Sequence, residues 1–235
     1  DIPIKHLYIE YKWWIERKKP FKSIEEELAT LARQGDDFRR IIHPQKSDVL
    51  FTFINFLNSF DIGTVYPLLL YLIDAKMTDA DLSRTTAMLE SYLLRRAVCG
   101  YTTKAYNRIF LILIRFLQEK GATVDNVYKH LSGLEGDSVK WPDDDTFSAA
   151  WQSRNAYDTL NNWSITYILK RLNNYFMSSN NEIISIDGPL TVEHILPQAW
   201  VDNWPLPDGS KGMTYLELLD SPPEDSRADA TQKRN

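Results

Sequence analysis

From Ile4 to Met177 the apolar residues of this chain recur at helical spacing, and several of the recurrences open on a residue suited to cap a helix. That pattern commits most of the chain to helices packed on helices. An amphipathic helix has to bury its apolar stripe against another element. Ile4 to Lys18 carries Leu7, Tyr8, Tyr11, Trp14 and Ile15 at this spacing and stops before Pro20. Ser23, with Glu26 three residues on, has the form of a capping box and predicts a second helix to about Ile42, burying Leu28, Leu31 and Phe38. A third helix is expected from Ser47, and a fourth from about Val65 to Ala75 after the turn Asp61-Ile62-Gly63. Thr78, with Asp81 near the positive end of the dipole, caps a fifth helix to Val98, which Gly100 terminates.

Thr103 to Glu119 predicts a sixth helix, and Thr123 to about Ser132 a shorter one. Asp144 or Asp145 begins another, through Phe147 and Trp151. Leu160 to Met177 is the last long one, with Trp163, Tyr167, Ile168, Leu172 and Tyr175 on its apolar face.

The character changes after a polar break at Ser178 to Asn181. Glu182 to Ile186 and Leu190 to Leu196 are β-prone runs joined by Asp187-Gly188, which predicts a small β-hairpin. The expected fold is therefore mainly α: a helical domain over residues 1–180, then a hairpin-bearing piece over 181–235. The tail from Ser221 to Asn235 is charged, has almost no large apolar side chains, and reads as a loop or frayed end.

A net charge of −5 argues against tight DNA binding by this piece alone, because phosphate contacts dominate such affinity. Cys99 is the single cysteine, so no intrachain disulfide forms, which fits a reducing compartment. The longest apolar stretch, Val65 to Ile73, is too short to span a bilayer and contains Pro67. The chain starts on Asp1-Ile2-Pro3, as an excised fragment would, and a cytoplasmic location without a membrane is expected. There is no Gly-rich phosphate loop, so nucleoside triphosphate binding is not expected.

The chemistry concentrates at Glu193-His194, an acid beside an imidazole just before Pro197. Proline removes a backbone donor and restricts the residue before it, so a strand ends there and both side chains can serve one centre. Such a pair suits metal-assisted hydrolysis, the histidine taking a proton from water and the acid holding the metal. The bland alternative is a histidine at a strand end with an exposed glutamate. Arg95-Arg96 contacts phosphate through a planar guanidinium fork, or is a basic helix C-terminus meeting the dipole, or locks helices together. The run Asp143-Asp144-Asp145 reads as helix capping rather than a cation site. His6, His43 and His130 stand alone in helical or turn contexts, where a metal role is not expected.

The string Val192-Glu193-His194-Ile195-Leu196-Pro197-Gln198 resembles the first half of the ββα-metal (HNH, or His-Me finger) nuclease motif. More narrowly, it is similar to the C-terminal nuclease domain of GmrSD-type modification-dependent restriction endonucleases. Ser91 to Arg96 with Cys99-Gly100, Asn107 and Phe110, then Trp141-Pro142-Asp143 with Phe147, and Tyr167 to Arg171 resemble further parts of that family. The likeness covers roughly Leu89 to Trp200. It implies a metal-dependent DNA endonuclease that nicks or cuts modified or foreign DNA in antiviral defence. His194 would be the general base, Glu193 a ligand of one Mg²⁺ or Mn²⁺, and an N-terminal NTPase or sensor domain the companion in the same protein. The family pattern continues with a Gly-Asn-Leu segment and a later Asn, which this chain does not contain. Asn235 lies upstream of that segment and is given no metal role. The ββα motif is thus expected to be truncated here, and the fragment weakly active or inactive alone. The rival readings are a helical interaction scaffold with a decayed nuclease motif, and another metal hydrolase that draws further ligands from the helices.

Overall fold

The computed structural model describes residues 6–177, 190–193 and 199–212. The chain divides into two units, Asp1–Ile183 and Ile184–Asn235. In the first, α1 (Leu7–Lys18) and α2 (Ile24–Ile42) lead into α3 (Phe51–Ser59), α4 (Tyr66–Asp74), α5 (Asp79–Val98), α6 (Tyr106–Lys120) and α7 (Val124–Ser132). Then follow α8 (Asp144–Ser153), a single turn α9 (Ala156–Thr159) and α10 (Asn162–Phe176).

The helix starts follow local capping chemistry. The Glu26 N–H donates to Ser23 Oγ at 3.3 Å, and Glu26 Oε2 accepts from the Lys22 N–H at 2.7 Å. Thr78, Thr123, Asp143 and Asn161 each accept from a backbone N–H three residues on. Each satisfies a donor that the first turn leaves unpaired. Cys99 caps the end of α5, and Gly100 follows in the left-handed region at φ 67°, a backbone conformation that costs glycine nothing.

The core lies where α3, α4, α5, α6 and α7 converge. Phe53, Phe56, Leu68, Leu72, Leu89, Leu93, Phe110, Leu113, Val127 and Leu131 form one buried cluster there. Helix α10 packs on α3, and α8 packs on α5. A smaller cluster of Val98, Cys99, Ala150 and Ile168 joins α5, α8 and α10. Ser164, also buried, donates its hydroxyl to the Ser59 carbonyl at 2.8 Å and fastens α10 to the end of α3.

Three expectations are corrected. First, the β-hairpin is not seen: among the described residues there is no strand. Of its expected second arm, residues 190–193 carry no regular structure, Leu190 is exposed, and Glu193 is exposed. β-Propensity reflects packing on a half-buried pleated surface, and an isolated two-stranded pair is marginal without a third layer. The rest of the expected hairpin, including Asp187-Gly188, lies outside the described residues, as do the polar break at Ser178 to Asn181 and the tail from Ser221. The expected ββα beginning falls with the hairpin.

Second, α2 does not bury Leu28, Leu31 and Phe38, which are 61%, 41% and 42% exposed; Ile41 is its buried residue. Third, on α10 the buried apolar residues are Ile165 and Ile168, while Trp163 and Tyr175 are exposed. Helical periodicity marks an apolar face, and tertiary packing decides how much of it is covered.

The second unit contains a short helix, α11 (Trp200–Asn203). A turn follows in which the Gly209 N–H donates to the Leu206 carbonyl and the Leu206 N–H to the Ser210 carbonyl, each at 2.8 Å. Leu206 is buried, and Lys211 Nζ pairs with Asp202 Oδ1 at 3.0 Å. Among the described residues, no helix is long and apolar enough to cross a membrane.

Candidate functional site

Arg95 and Arg96 occupy the last turn of α5, where a cation meets the negative end of the dipole. One residue apart on a helix, they face different surroundings. Arg96 is wholly buried. Its Nη1 donates to the Lys140 carbonyl at 2.8 Å, and its Nη2 to the carbonyls of Ser138 at 2.8 Å and Thr102 at 2.9 Å. The rings of Tyr101, Tyr106 and Tyr92 stand 5.3, 5.5 and 5.6 Å from the guanidinium carbon. Carbonyl dipoles and ring faces replace the hydration that a buried cation gives up. Tyr92 donates its own hydroxyl to the Val139 carbonyl at 2.7 Å. Burial pushes the Tyr92 hydroxyl well above the ordinary phenol value and raises that of Tyr106, so both stay neutral beside the cation. Arg96 therefore ties α5 to the 138–140 loop and to Thr102.

Arg95 is partly exposed. Its Nη1 donates to the Pro142 carbonyl at 3.2 Å, its Nη2 contacts Asp144 Oδ1 at 2.5 Å, and its guanidinium carbon lies 5.1 Å from the Phe147 ring centre. Asp143 accepts from the Thr146 N–H at 2.8 Å and caps α8. That hydrogen bonding holds the Asp143 carboxyl below its usual range. Two of the three consecutive aspartates thus have structural partners, one a cap and one an ion pair.

Glu193 is exposed at the end of an irregular stretch, and His194 lies outside the described residues. A solvent-facing carboxylate is a suitable oxygen donor for a hard divalent cation. Among the described residues, no group of three or more His, Cys, Asp or Glu side chains is arranged to hold a metal.

Sequence reasoning did not find the cleft between α5, α8 and α10. It encloses about 740 Å³, and Phe147, Trp151, Tyr167 and Tyr175 give it aromatic walls. Its polar corner is Glu90, whose side chain is 13% exposed. The Tyr167 hydroxyl donates to Glu90 Oε1 at 2.8 Å, and Arg171 Nε stands 3.6 Å from the same oxygen. Burial, reinforced by the Glu90 charge, pushes the Tyr167 hydroxyl up, so it remains a proton donor to that carboxylate. The sequence signal was a glutamate on the inward side of α5, one residue after buried Leu89.

Residues 141–234 match the family model of GmrSD restriction endonucleases, C-terminal domain. The match begins at Trp141, so Ser91 to Phe110, whose likeness to that family was expected from the sequence, lies outside it. No curated protein and no solved structure matches the chain. The matched stretch takes in α8 to α10 and the string Glu193 to Gln198. Over residues 141–234 the chain is similar to the C-terminal domain of GmrSD restriction endonucleases.

Proposed function

We propose that the chain is the DNA-cleaving module of a restriction enzyme, and that it hydrolyses phosphodiester bonds by HNH-type chemistry at Glu193 and His194. The observation that carries this reading is the family match over residues 141–234, which contains both residues. His194 takes the proton from the attacking water, and Glu193 supplies a carboxylate oxygen to the divalent ion. A bound Mg²⁺ or Mn²⁺ supplies positive charge to the scissile phosphate and the leaving oxygen. A positioned base of this kind contributes on the order of 10²–10⁴ in rate. The substrate is modified or foreign DNA, and the setting is antiviral defence in the cytoplasm. An NTPase or sensor domain of the same protein supplies recognition of the modification. The net charge of −5 is in keeping with binding delegated to another part.

The test uses the full-length parent protein, plasmid DNA, and Mg²⁺ or Mn²⁺. Nicked or linear product is expected, and it vanishes in His194→Ala while the melting temperature is unchanged. Undiminished cleavage by that variant removes His194 from the mechanism. No cleavage by the parent with either metal supports the scaffold reading instead.

A further inference from the structure

We propose that the cleft between α5, α8 and α10 receives a nucleobase extruded from a DNA strand, and that Glu90 selects bases carrying an exocyclic amino group. The proposal rests on the DNA reading above for the source of the base.

Size is the first constraint. Pockets of roughly 300–1,000 Å³ take ligands of drug size. The cleft, at about 740 Å³, is matched to a nucleotide rather than to a lone ring. Wall chemistry is the second. Phe147 and Trp151 lie one helical turn apart on α8 with ring centres 6.0 Å apart, and Tyr167 and Tyr175 approach from α10. Trp151 and Tyr175 are 47% and 82% exposed, so their ring faces are available to a ligand. A π face in this setting stacks on any base, and it does so without reading sequence.

The third constraint is charge. The Tyr167 hydroxyl donates to Glu90 Oε1, and the nearest approach of Arg171 is to that same oxygen. Oε2 is the oxygen assigned to a ligand donor. A mostly buried carboxylate calls for an N–H opposite it. Cytosine, adenine and guanine present an exocyclic amino group on their pairing edge. Thymine presents two carbonyls flanking a single N–H, and these repel the carboxylate. Arg171 is more than half exposed and offers its guanidinium to the phosphate attached to the base. Flipped bases are held in other proteins by this combination of stacking and edge hydrogen bonds. All but Glu90 and Leu94 of the lining residues fall within the matched stretch 141–234.

Free deoxynucleosides test the pocket without any cleavage step. Saturation-transfer NMR on the whole chain should show transfer to the base protons of deoxycytidine, deoxyadenosine and deoxyguanosine, and weaker transfer to thymidine. Trp151→Ala, which removes a stacking face, should weaken deoxycytidine binding about tenfold. Ser148→Trp, at an exposed position lining the cleft, should block it. Glu90→Gln should erase the preference for deoxycytidine over thymidine while binding of both persists, a change that a purely structural glutamate does not produce. Thermal melting of each variant checks that the chain stays folded. Absence of transfer from all four nucleosides overturns the proposal. So does transfer that is unchanged in both Trp151→Ala and Ser148→Trp. A parent protein that cuts plasmid while this chain binds no nucleoside sinks the pocket alone. One that binds nucleosides and cuts nothing sinks the hydrolase reading and leaves the pocket's ligand class standing.

Discussion

Arg96 reaches Ser138 across the chain, its Nη2 donating to that residue's carbonyl at 2.8 Å while its Nη1 holds Lys140 at the same distance. The two bonds fix the stretch that leads into α8, and with it the family-matched segment that starts at Trp141. Three carbonyls converge on one planar fork, a geometry that an ammonium on a flexible stem does not reproduce. Arg96→Lys should therefore lower stability by about 2–4 kcal/mol, because buried carbonyls lose their donors. Arg96→Met removes the buried charge but leaves the same carbonyls unpaired, and should cost a similar amount. Urea denaturation of the two variants checks both. A loss below about 1 kcal/mol in each, the size of an ordinary net hydrogen bond, would contradict the clamp.

Thr78 makes a smaller, purely local contribution. Its Oγ accepts from the Asp81 N–H at 3.2 Å and opens the longest helix of the described residues. Thr78→Ala should cost about 1 kcal/mol, and Thr78→Ser close to nothing, since serine caps as well as threonine. Equal losses in the two variants, measured by thermal melting, would show that the threonine acts through packing instead.

The difference between these two residues explains how much of the molecule was legible in the sequence. Thr78 and Ser23 could be recognised because a cap and its donor lie three residues apart. The Gly100 stop was legible for the same reason. Arg96 was visible as a basic residue at a helix end, but two of its three carbonyl partners, Ser138 and Lys140, sit in a loop more than forty residues on, and nothing local points to them. The Glu90 corner has the same character: its partners Tyr167 and Arg171 come from α10, and only packing brings them to α5. The exposed faces of Leu28 and Leu31 were misjudged because periodicity specifies a stripe and not its cover. The β-prone run near Val192 misled in a related way: β-propensity reflects packing on a half-buried sheet, and residues 190–193 carry no regular structure. Of the candidate site, the Glu193-His194 pair rests on its sequence pattern, and Glu193 is exposed.

That exposure makes Glu193 separable from the fold. Glu193→Gln keeps the size of the side chain and removes its charge, so melting should be unchanged within about 0.5 kcal/mol, as for most surface substitutions. Cleavage by the parent protein should fall at least tenfold at limiting Mg²⁺ and recover partly as the metal is raised, because one ligand is weakened rather than the base removed. Metal titration of the cleavage rate separates this from His194→Ala, whose loss should not respond to metal. Cleavage by Glu193→Gln at the parental rate across the whole titration would exclude the carboxylate as a ligand.

His130 gives the fold an acid limit of its own. Its ring centre lies 5.2 Å from that of Phe116, and Nε2 is buried without a hydrogen-bond partner among the described residues. Burial disfavours the imidazolium and pulls the His130 pKa below its ordinary value. The unfolded chain therefore takes up a proton before the folded one does. The contribution of His130 is fully present above the unfolded value of about 6.5, and it is lost as the pH falls below that value toward the folded one. His130→Phe keeps a ring against Phe116 and has no proton to bind. Its stability should fall less than that of the parent chain between neutral pH and about pH 5, a window set by the ordinary imidazole value. Denaturant midpoints at several pH values measure this directly. Parallel pH profiles for the two proteins would mean that the buried imidazole titrates alike in the folded and unfolded chain.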